Sequence, residues 1–430
     1  MNEYNKWYCF TLDKLVALVF ALIPFTSHYI VPGVGSNLAF ASSVCIVFLY
    51  YFYRKIPYYR DNPACISVSI AVPILVTMLC YCTLHQLLRP PKAVFTTTPS
   101  LAGIIFHFII MYVCILVFAH DKVRLHYFRY VEIIAVIMTF VVIAQYMIYF
   151  GLGTTITTDR SFLFPFKAFF TSGMTETLKG SKMIIGGLFR PSAFFIEPAH
   201  YSQYCLIGLT VSLANNEELL NKKAIIISIG IILTTSGLGI VTTFAIWMVK
   251  LVINGKGLTR STIIYLCVGL LILILAFIAL FAVSNSFRMA VARITTGSVD
   301  HKSALEGRLG TWILLKDLNA EELLFGMGYG NIPTYGVKRI TYYMTGIIEL
   351  LYCQGILGTS LFLLCYIQMM LKAFRRNALT ALYILIVYIP FLIGSANLVL
   401  LSLLQYIPLL YLTDIKDSPV IKANTQLFRN

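Results

Sequence analysis

The chain has 430 residues, of which 59% are apolar and only 12% charged, with a mean hydropathy of +0.82. So little polar surface cannot coat a globule in water, and the composition excludes a soluble protein. The formal charge of +15 must then gather in the connections between apolar runs, and no nucleic-acid partner is expected. Because a helix needs about 20 apolar residues to cross a hydrocarbon core about 30 Å thick, the expected class is all-α and polytopic, a single membrane domain over residues 1–430.

In chain order, the first apolar run spans 15 to 31. It follows Asp13 and Lys14 and lacks the small-residue pattern of a cleavage site, so it reads as a retained span. Runs at 37 to 53, 64 to 88, 100 to 119, 130 to 150 and 198 to 214 come next. The run from 224 to 253 is too long for one untilted span. It is interrupted by Thr234-Thr235-Ser236-Gly237, where hydroxyls and a glycine suit a sharp reversal. Further runs occupy 262 to 283, 344 to 371, 378 to 395 and 396 to 413. The ten cysteines lie in apolar runs or near the amino terminus, and the one close pair, Cys80 and Cys82, fits neither redox nor zinc spacing. They read as small apolar packing residues.

Charge sets the orientation, since short loops rich in Lys and Arg face the cytoplasm. Arg54/Lys55/Arg60, Lys122/Arg124/Arg129, Lys222/Lys223 and Lys372/Arg375/Arg376 share one side only if the 224 to 253 run makes two helices. That count gives twelve spans, both termini cytoplasmic, and two larger outer loops at 151–197 and 284–343, with Arg89 and Lys92 as exceptions.

The outer loops are basic, with Arg160, Lys167, Lys179, Lys182 and Arg190 in the first and Arg288, Arg293, Lys302 and Arg308 in the second. Long loops cross regardless of charge, so the surplus is permitted, and it also suits a bound anion. Lys179, Lys182, Lys302, Lys338 and Arg339 read as ordinary solvated charge.

Around Arg190 the sequence is Phe189-Arg190-Pro191-Ser192-Ala193-Phe194-Phe195-Ile196-Glu197-Pro198-Ala199-His200-Tyr201. Pro198 is suited to the first position of a helix, which places Glu197 at the cap and free N–H groups at the outer surface. Such an end accepts anions, and the planar guanidinium of Arg190 can fold back beside it toward phosphate oxygens. Glu197 and His200 share a helix face. The structural alternative is an Arg190–Glu197 ion pair with an incidental His200. Arg288 and Arg293 lie about 140° apart around a helix, so both reach one ligand only if the segment unwinds, and Arg293 is ranked above Arg288 as a ligand contact. Glu349, at the outer end of the tenth span, is an ionisable group near hydrocarbon and a functional candidate or an interface residue. His28, His85 and His107 read as packing or interface residues.

The segment Arg190 to Tyr201 resembles the R-x-S-G/A-F-F-x-E-P-x-x-[FY] signature of the O-antigen and capsule repeat-unit polymerases of the Wzy type. Leu233-Thr234-Thr235-Ser236-Gly237-Leu238-Gly239 is similar to that family's Ser-rich hinge, without the arginine many relatives carry after the serine. Gly307-Arg308-Leu309-Gly310-Thr311-Trp312 resembles its loop arginine segment, and Leu324-Phe325-Gly326-Met327-Gly328-Tyr329-Gly330-Asn331 its F-G-x-G turn. The likeness covers roughly residues 180 to 370. It implies a GT-C-like, metal-independent glycosyltransferase that joins oligosaccharide repeat units carried on undecaprenyl pyrophosphate, at the periplasmic face of a bacterial inner membrane. It also implies a chain-length-determining co-polymerase as partner, beside the membrane lipids, and no cofactor.

On that reading Arg190, Arg293 and Arg308, with Arg288, stabilise the departing pyrophosphate. The acceptor hydroxyl loses its proton to Glu197, with His200 second and His301 third. The sequence shows no metal spacing, since Glu197 and His200 do not form H-E-x-x-H. Gly326 to Gly330 follows no strand and reads as a tight loop rather than a dinucleotide fingerprint. An O-antigen ligase shares the expected architecture and donor. A flippase or other transporter would instead show repeated halves, discontinuous spans and charges along a path.

Overall fold

The computed structural model describes residues 3–26, 76–85, 87–88, 117–118, 121–152, 184–185, 188–195, 197–215, 221–254, 312–328, 331, 334–335, 340–341, 345–394, 409 and 412. Within these the chain is mostly helical, as the composition demands. The only strands described are two antiparallel two-residue pairs, β1 (Ile184–Ile185) with β2 (Leu188–Phe189) and β3 (Thr334–Tyr335) with β4 (Ile340–Thr341). The helices are α1 (Glu3–Thr26), α2 (Val76–His85), α3 (Asp121–Leu152), α4 (Pro198–Asn215), α5 (Lys222–Leu233), α6 (Gly237–Asn254), α7 (Ile313–Lys316), α8 (Ala320–Phe325), α9 (Gly346–Arg376) and α10 (Ala378–Gly394). The chain divides into two compact units, residues 1–131 with 310–430, and residues 132–309, with the boundary inside α3.

Two of the described helices, α3 and α9, are long and apolar enough to cross a membrane. The apolar stretches of α2, α6 and α10 are shorter, and α5, with 12 residues, rises only about 18 Å. The expected spans at 37 to 53 and 262 to 283, and nearly all of those at 100 to 119 and 396 to 413, lie outside the described residues.

The faces of α3 are inverted relative to a helix in water. Ile133, Ile137, Phe140, Met147 and Phe150 are exposed along one side, while Thr139 and Gln145 are buried on another. The same exposure of apolar side chains at helical spacing recurs on α5 (Ile225, Ile229, Ile232), α6 (Val241, Phe244, Met248) and α9 (Leu357, Leu364, Leu371). Apolar surface of this extent suits hydrocarbon as the solvent.

In the unit 132–309, α5 starts at Asn221, whose side chain accepts from the Lys223 N–H at 3.0 Å and donates to the Ser212 carbonyl at 3.0 Å and to its hydroxyl at 2.8 Å. One amide therefore caps α5 and ties it to the end of α4. The run that sequence divides at Thr234-Thr235-Ser236-Gly237 is indeed two helices. The reversal passes through Thr235, which has φ +54, and the Ser236 hydroxyl accepts from the Gly239 N–H at 3.4 Å. The Trp247 indole donates to Ser228 at 2.8 Å across the antiparallel α5–α6 pair, and the buried Lys250 donates to the Leu213 carbonyl at 3.1 Å. At the other end of α5, Lys223 and Glu132 form an ion pair at 2.8 Å.

Glycine allows the closest crossing. A Cβ on Gly230 would collide with the Thr139 and Tyr201 hydroxyls, which are themselves 3.1 Å apart. In the other unit, α9 and α10 meet at Asn377, whose side chain accepts from the Thr380 N–H at 3.0 Å, and the helices return antiparallel with the Tyr366 and Tyr388 rings 4.5 Å apart.

Gly230→Ala is expected to lower stability by about 1–3 kcal/mol, because neither hydroxyl can move without breaking its bond to the other. Gly151→Ala, with nothing within 4 Å of the added methyl, is expected to be neutral. Thermal unfolding of both variants in one detergent makes the comparison.

Candidate functional site

The segment that carries Arg190, Glu197 and His200 is fixed from both sides. On its entry, β2 ends at the buried Phe189, whose ring lies flat on Tyr149 at 4.2 Å and edge-on to Tyr146 at 5.3 Å, at the end of α3. Arg190 follows, half-buried, with its guanidinium within electrostatic range of the Tyr146 phenol.

The chain then turns back. Phe195 N–H donates to the Ser192 carbonyl at 2.9 Å, and the Ser192 hydroxyl donates to the Phe195 carbonyl at 2.7 Å. The first central residue of this turn, Ala193, has φ +48, a position that favours glycine. What holds an alanine there is Gln145 of α3: its Oε1 accepts from the Ala193 N–H at 3.1 Å and its Nε2 donates to the Ala193 carbonyl at 3.0 Å. Both backbone groups of the strained residue are thus satisfied by one carboxamide.

On the exit, Phe195 is buried against the rings of Tyr201 and Tyr204, which plants the segment on the first turns of α4. Pro198 is the first residue of α4, and the Glu197 carbonyl accepts from the Tyr201 N–H at 3.2 Å, so Glu197 is the capping residue as its sequence position suggested. Glu197 and His200 are both half-buried. The start of α4 also meets the α5–α6 reversal. The Ser202 hydroxyl donates to the Pro198 carbonyl at 2.9 Å and lies 3.4 Å from the Thr234 hydroxyl, and a Cβ on Gly239 would come within 2.5 Å of it. Tyr146 completes the link, donating to the Leu233 carbonyl at 2.7 Å. Arg190, the start of α4 and the Thr234–Gly237 reversal therefore converge through Tyr146, Gln145 and Ser202. Arg288, Arg293, Arg308 and His301 lie outside the described residues.

The unit 1–131 with 310–430 holds the second set of sequence candidates. Asn319 and Glu322 form a reciprocal capping box that starts α8, and Gly326 (φ +82) ends it. The loop then docks on a break in α9. Gly355 takes φ +65, which frees carbonyls of the preceding turn. Met327 N–H donates to the Tyr352 carbonyl at 2.8 Å and Gly328 N–H to that of Cys353 at 2.8 Å, and the single Tyr81 hydroxyl proton is shared between the Phe325 carbonyl at 2.5 Å and the Gln354 carbonyl at 2.8 Å. A Cβ on either Gly326 or Gly355 would strike the other's backbone. The F-G-x-G segment is thus a tight loop, as expected, and its glycines serve contact between two backbones. Glu349 lies on the short half of α9 before this break, 2% exposed, and its Oε2 accepts no hydrogen bond among the described residues. Burial places it inside the fold rather than at an exposed interface.

Sequence reasoning missed Gln145, Tyr146 and Thr139. The first had a readable signal, an amide inside an apolar run, which in hydrocarbon needs a partner. The other two are ordinary span residues whose role depends on what crosses them.

Gln145→Leu is expected to lose about 1–3 kcal/mol for each Ala193 backbone group left without a partner, measured by thermal unfolding. Ala193→Gly is expected to stay within about 1 kcal/mol of wild type, whereas Ala193→Val, β-branched at positive φ, falls well below it. Comparison with models of known protein families gives no match for this chain, and comparison with curated proteins gives none.

Proposed function

We propose that the chain is a polytopic inner-membrane polymerase of the Wzy type, with twelve spans and both termini cytoplasmic. On this reading it joins oligosaccharide repeat units carried on undecaprenyl pyrophosphate at the periplasmic face. The observation that carries the proposal is the Arg190–Glu197–His200 segment. It is clamped by Gln145 in a strained turn and set at the start of α4, beside the α5–α6 reversal that the family resemblance also marks. Strain held by dedicated partners belongs with sites that need one geometry.

In this mechanism the acceptor sugar's hydroxyl gives its proton to the Glu197 carboxylate, with His200 the second candidate, as its oxygen bonds to the anomeric carbon of the donor. The bond from that carbon to the pyrophosphate oxygen breaks, and the negative charge left on the lipid pyrophosphate falls to Arg190 and the first N–H groups of α4. Arg293, Arg308 and Arg288 are proposed to complete the anion site. A co-polymerase in the same membrane sets chain length.

One observation bears on the transporter reading, because α9 is discontinuous at Gly355. The carbonyls freed there are taken by Met327, Gly328 and Tyr81, so the break is a docking point for a loop rather than an open ion site.

The test is the length distribution of surface polysaccharide in a host deleted for the gene and rescued by wild type, Arg190→Ala or Glu197→Gln, with membrane levels of each protein measured alongside. The expected result is a single repeat unit on lipid A-core in the deletion, and a ladder restored by wild type alone, a loss of at least about 100-fold in polymer for either variant. Bare core with long polymer held on the lipid carrier would instead identify a ligase.

A further inference from the structure

The break at Gly355 divides α9 into unequal parts. From Ile356 to Arg376 the helix rises about 30 Å, the thickness of a hydrocarbon core, so this part alone suffices for a crossing. It exposes Ile356, Leu357, Leu364, Ile367 and Leu371, and its far end carries Lys372, Arg375 and Arg376. The apolar exposure therefore begins at the residue after Gly355, and the short part, from Gly346 to Gln354, continues beyond the core.

The short part is where α7 and α8 dock. Leu314, Leu315 and Leu318 pack on Ile348, Tyr352 and Cys353, and the Leu324 carbonyl lies so close to Gly355 that a Cβ there would strike it. The next carbonyl, of Phe325, accepts from the Tyr81 hydroxyl that also reaches Gln354. The end of α8 is thus fixed level with the break, where the lipid-facing surface of α9 starts.

What α7 and α8 leave uncovered is mixed. Trp312, Ile313, Leu324 and Phe325 are exposed, from 37% for Phe325 to 61% for Ile313, and so are Lys316, Asp317 and Glu321 between them. Water disfavours the first set and hydrocarbon the second. The headgroup layer accepts both, with rings and aliphatic groups toward the acyl chains and charges toward water.

We infer that the segment from Trp312 to Phe325 lies in the bilayer interface at the end of α9 away from Arg376, with Trp312, Ile313, Leu324 and Phe325 against phospholipid where headgroups meet acyl chains. The sequence alone assigns these residues to the larger outer loop at 284–343, and docking on α9 brings them to the membrane surface. The inference rests on α9 as a membrane span and on no part of the proposed reaction.

The test uses the full chain reconstituted in phosphatidylcholine vesicles, with Trp312 as the probe. The chain has three tryptophans, so the fluorescence of wild type minus that of Trp312→Phe isolates this one. Ile313→Trp, which adds a ring at the neighbouring exposed position, supplies an independent signal. Quenching is measured with phospholipid brominated close to the headgroup, with phospholipid brominated near the chain ends, and with iodide in the water. The shallow bromines are expected to quench Trp312 at least about twofold more than the deep ones, and iodide only weakly. Strong quenching by iodide with neither lipid effective returns the segment to an aqueous loop and overturns the inference. Stronger quenching from the chain ends places it in hydrocarbon and overturns it as well. Resistance to all three quenchers would show that a protein surface, such as a second copy of the chain, covers the patch in place of lipid. Recovery of wild type from the soluble fraction without detergent would overturn the span reading of α9, whereas the aqueous outcome in a vesicle-bound chain overturns the interface alone.

Discussion

A single carboxamide inside an apolar helix holds the candidate site together. Gln145 cannot be left without partners in a low-dielectric interior, and Ala193 cannot hold its positive φ without support for its two backbone groups. Each need meets the other in one pair of hydrogen bonds. Everything placed by the turn depends on that pair. Arg190 stands before it beside Tyr146, and Glu197 follows it at the cap of α4. The arrangement confers precision more than bulk stability, because neutral hydrogen bonds contribute only about 1 kcal/mol each once solvation is counted.

A similar economy governs the places where backbones touch. Gly230 lets α5 settle against two hydroxyls, Gly239 brings α6 against Ser202, and Gly326 and Gly355 allow a loop to lie on a broken helix. Where apolar side chains face an apolar solvent, burial of hydrophobic surface no longer drives helices together. Close approach and hydrogen bonding take over. The contacts Asn221–Ser212, Trp247–Ser228 and Lys250–Leu213 add hydrogen bonds to a buried apolar core in this unit that includes Leu206, Leu209, Ile227 and Ile231.

The same solvent argument connects the site with the surface. Along the described faces of α3, α5, α6 and α9 the exposed side chains include isoleucine, phenylalanine, leucine and methionine at helical spacing, while Thr139, Gln145, Ser202 and Thr234 are buried and serve capping and clamping. Charge is then left for the ends of helices, as at Lys122 and Arg129 on α3 and at Arg375 and Arg376 on α9, where the last pair also complements the helix dipole.

The sequence by itself determined the helical class, the division of the long run at Thr234–Gly237, the start of α4 at Pro198 and the tight loop at Gly326. Each of these follows from local chemistry: apolar composition, turn-forming hydroxyls with glycine, a residue lacking an N–H, and glycines that tolerate positive φ. Its reading of Glu197 as the cap held for the same reason. Only the tertiary structure decided that Ala193 is the strained residue and Gln145 its support, that Tyr146 lies between Arg190 and the end of α5, and that α9 breaks at Gly355 to receive a loop. These pairings join residues dozens of positions apart, and no period or local preference encodes which helix will cross which. Glu349 shows the same division. Its sequence position left it between the interface and the interior, and burial by elements distant in the chain placed it inside.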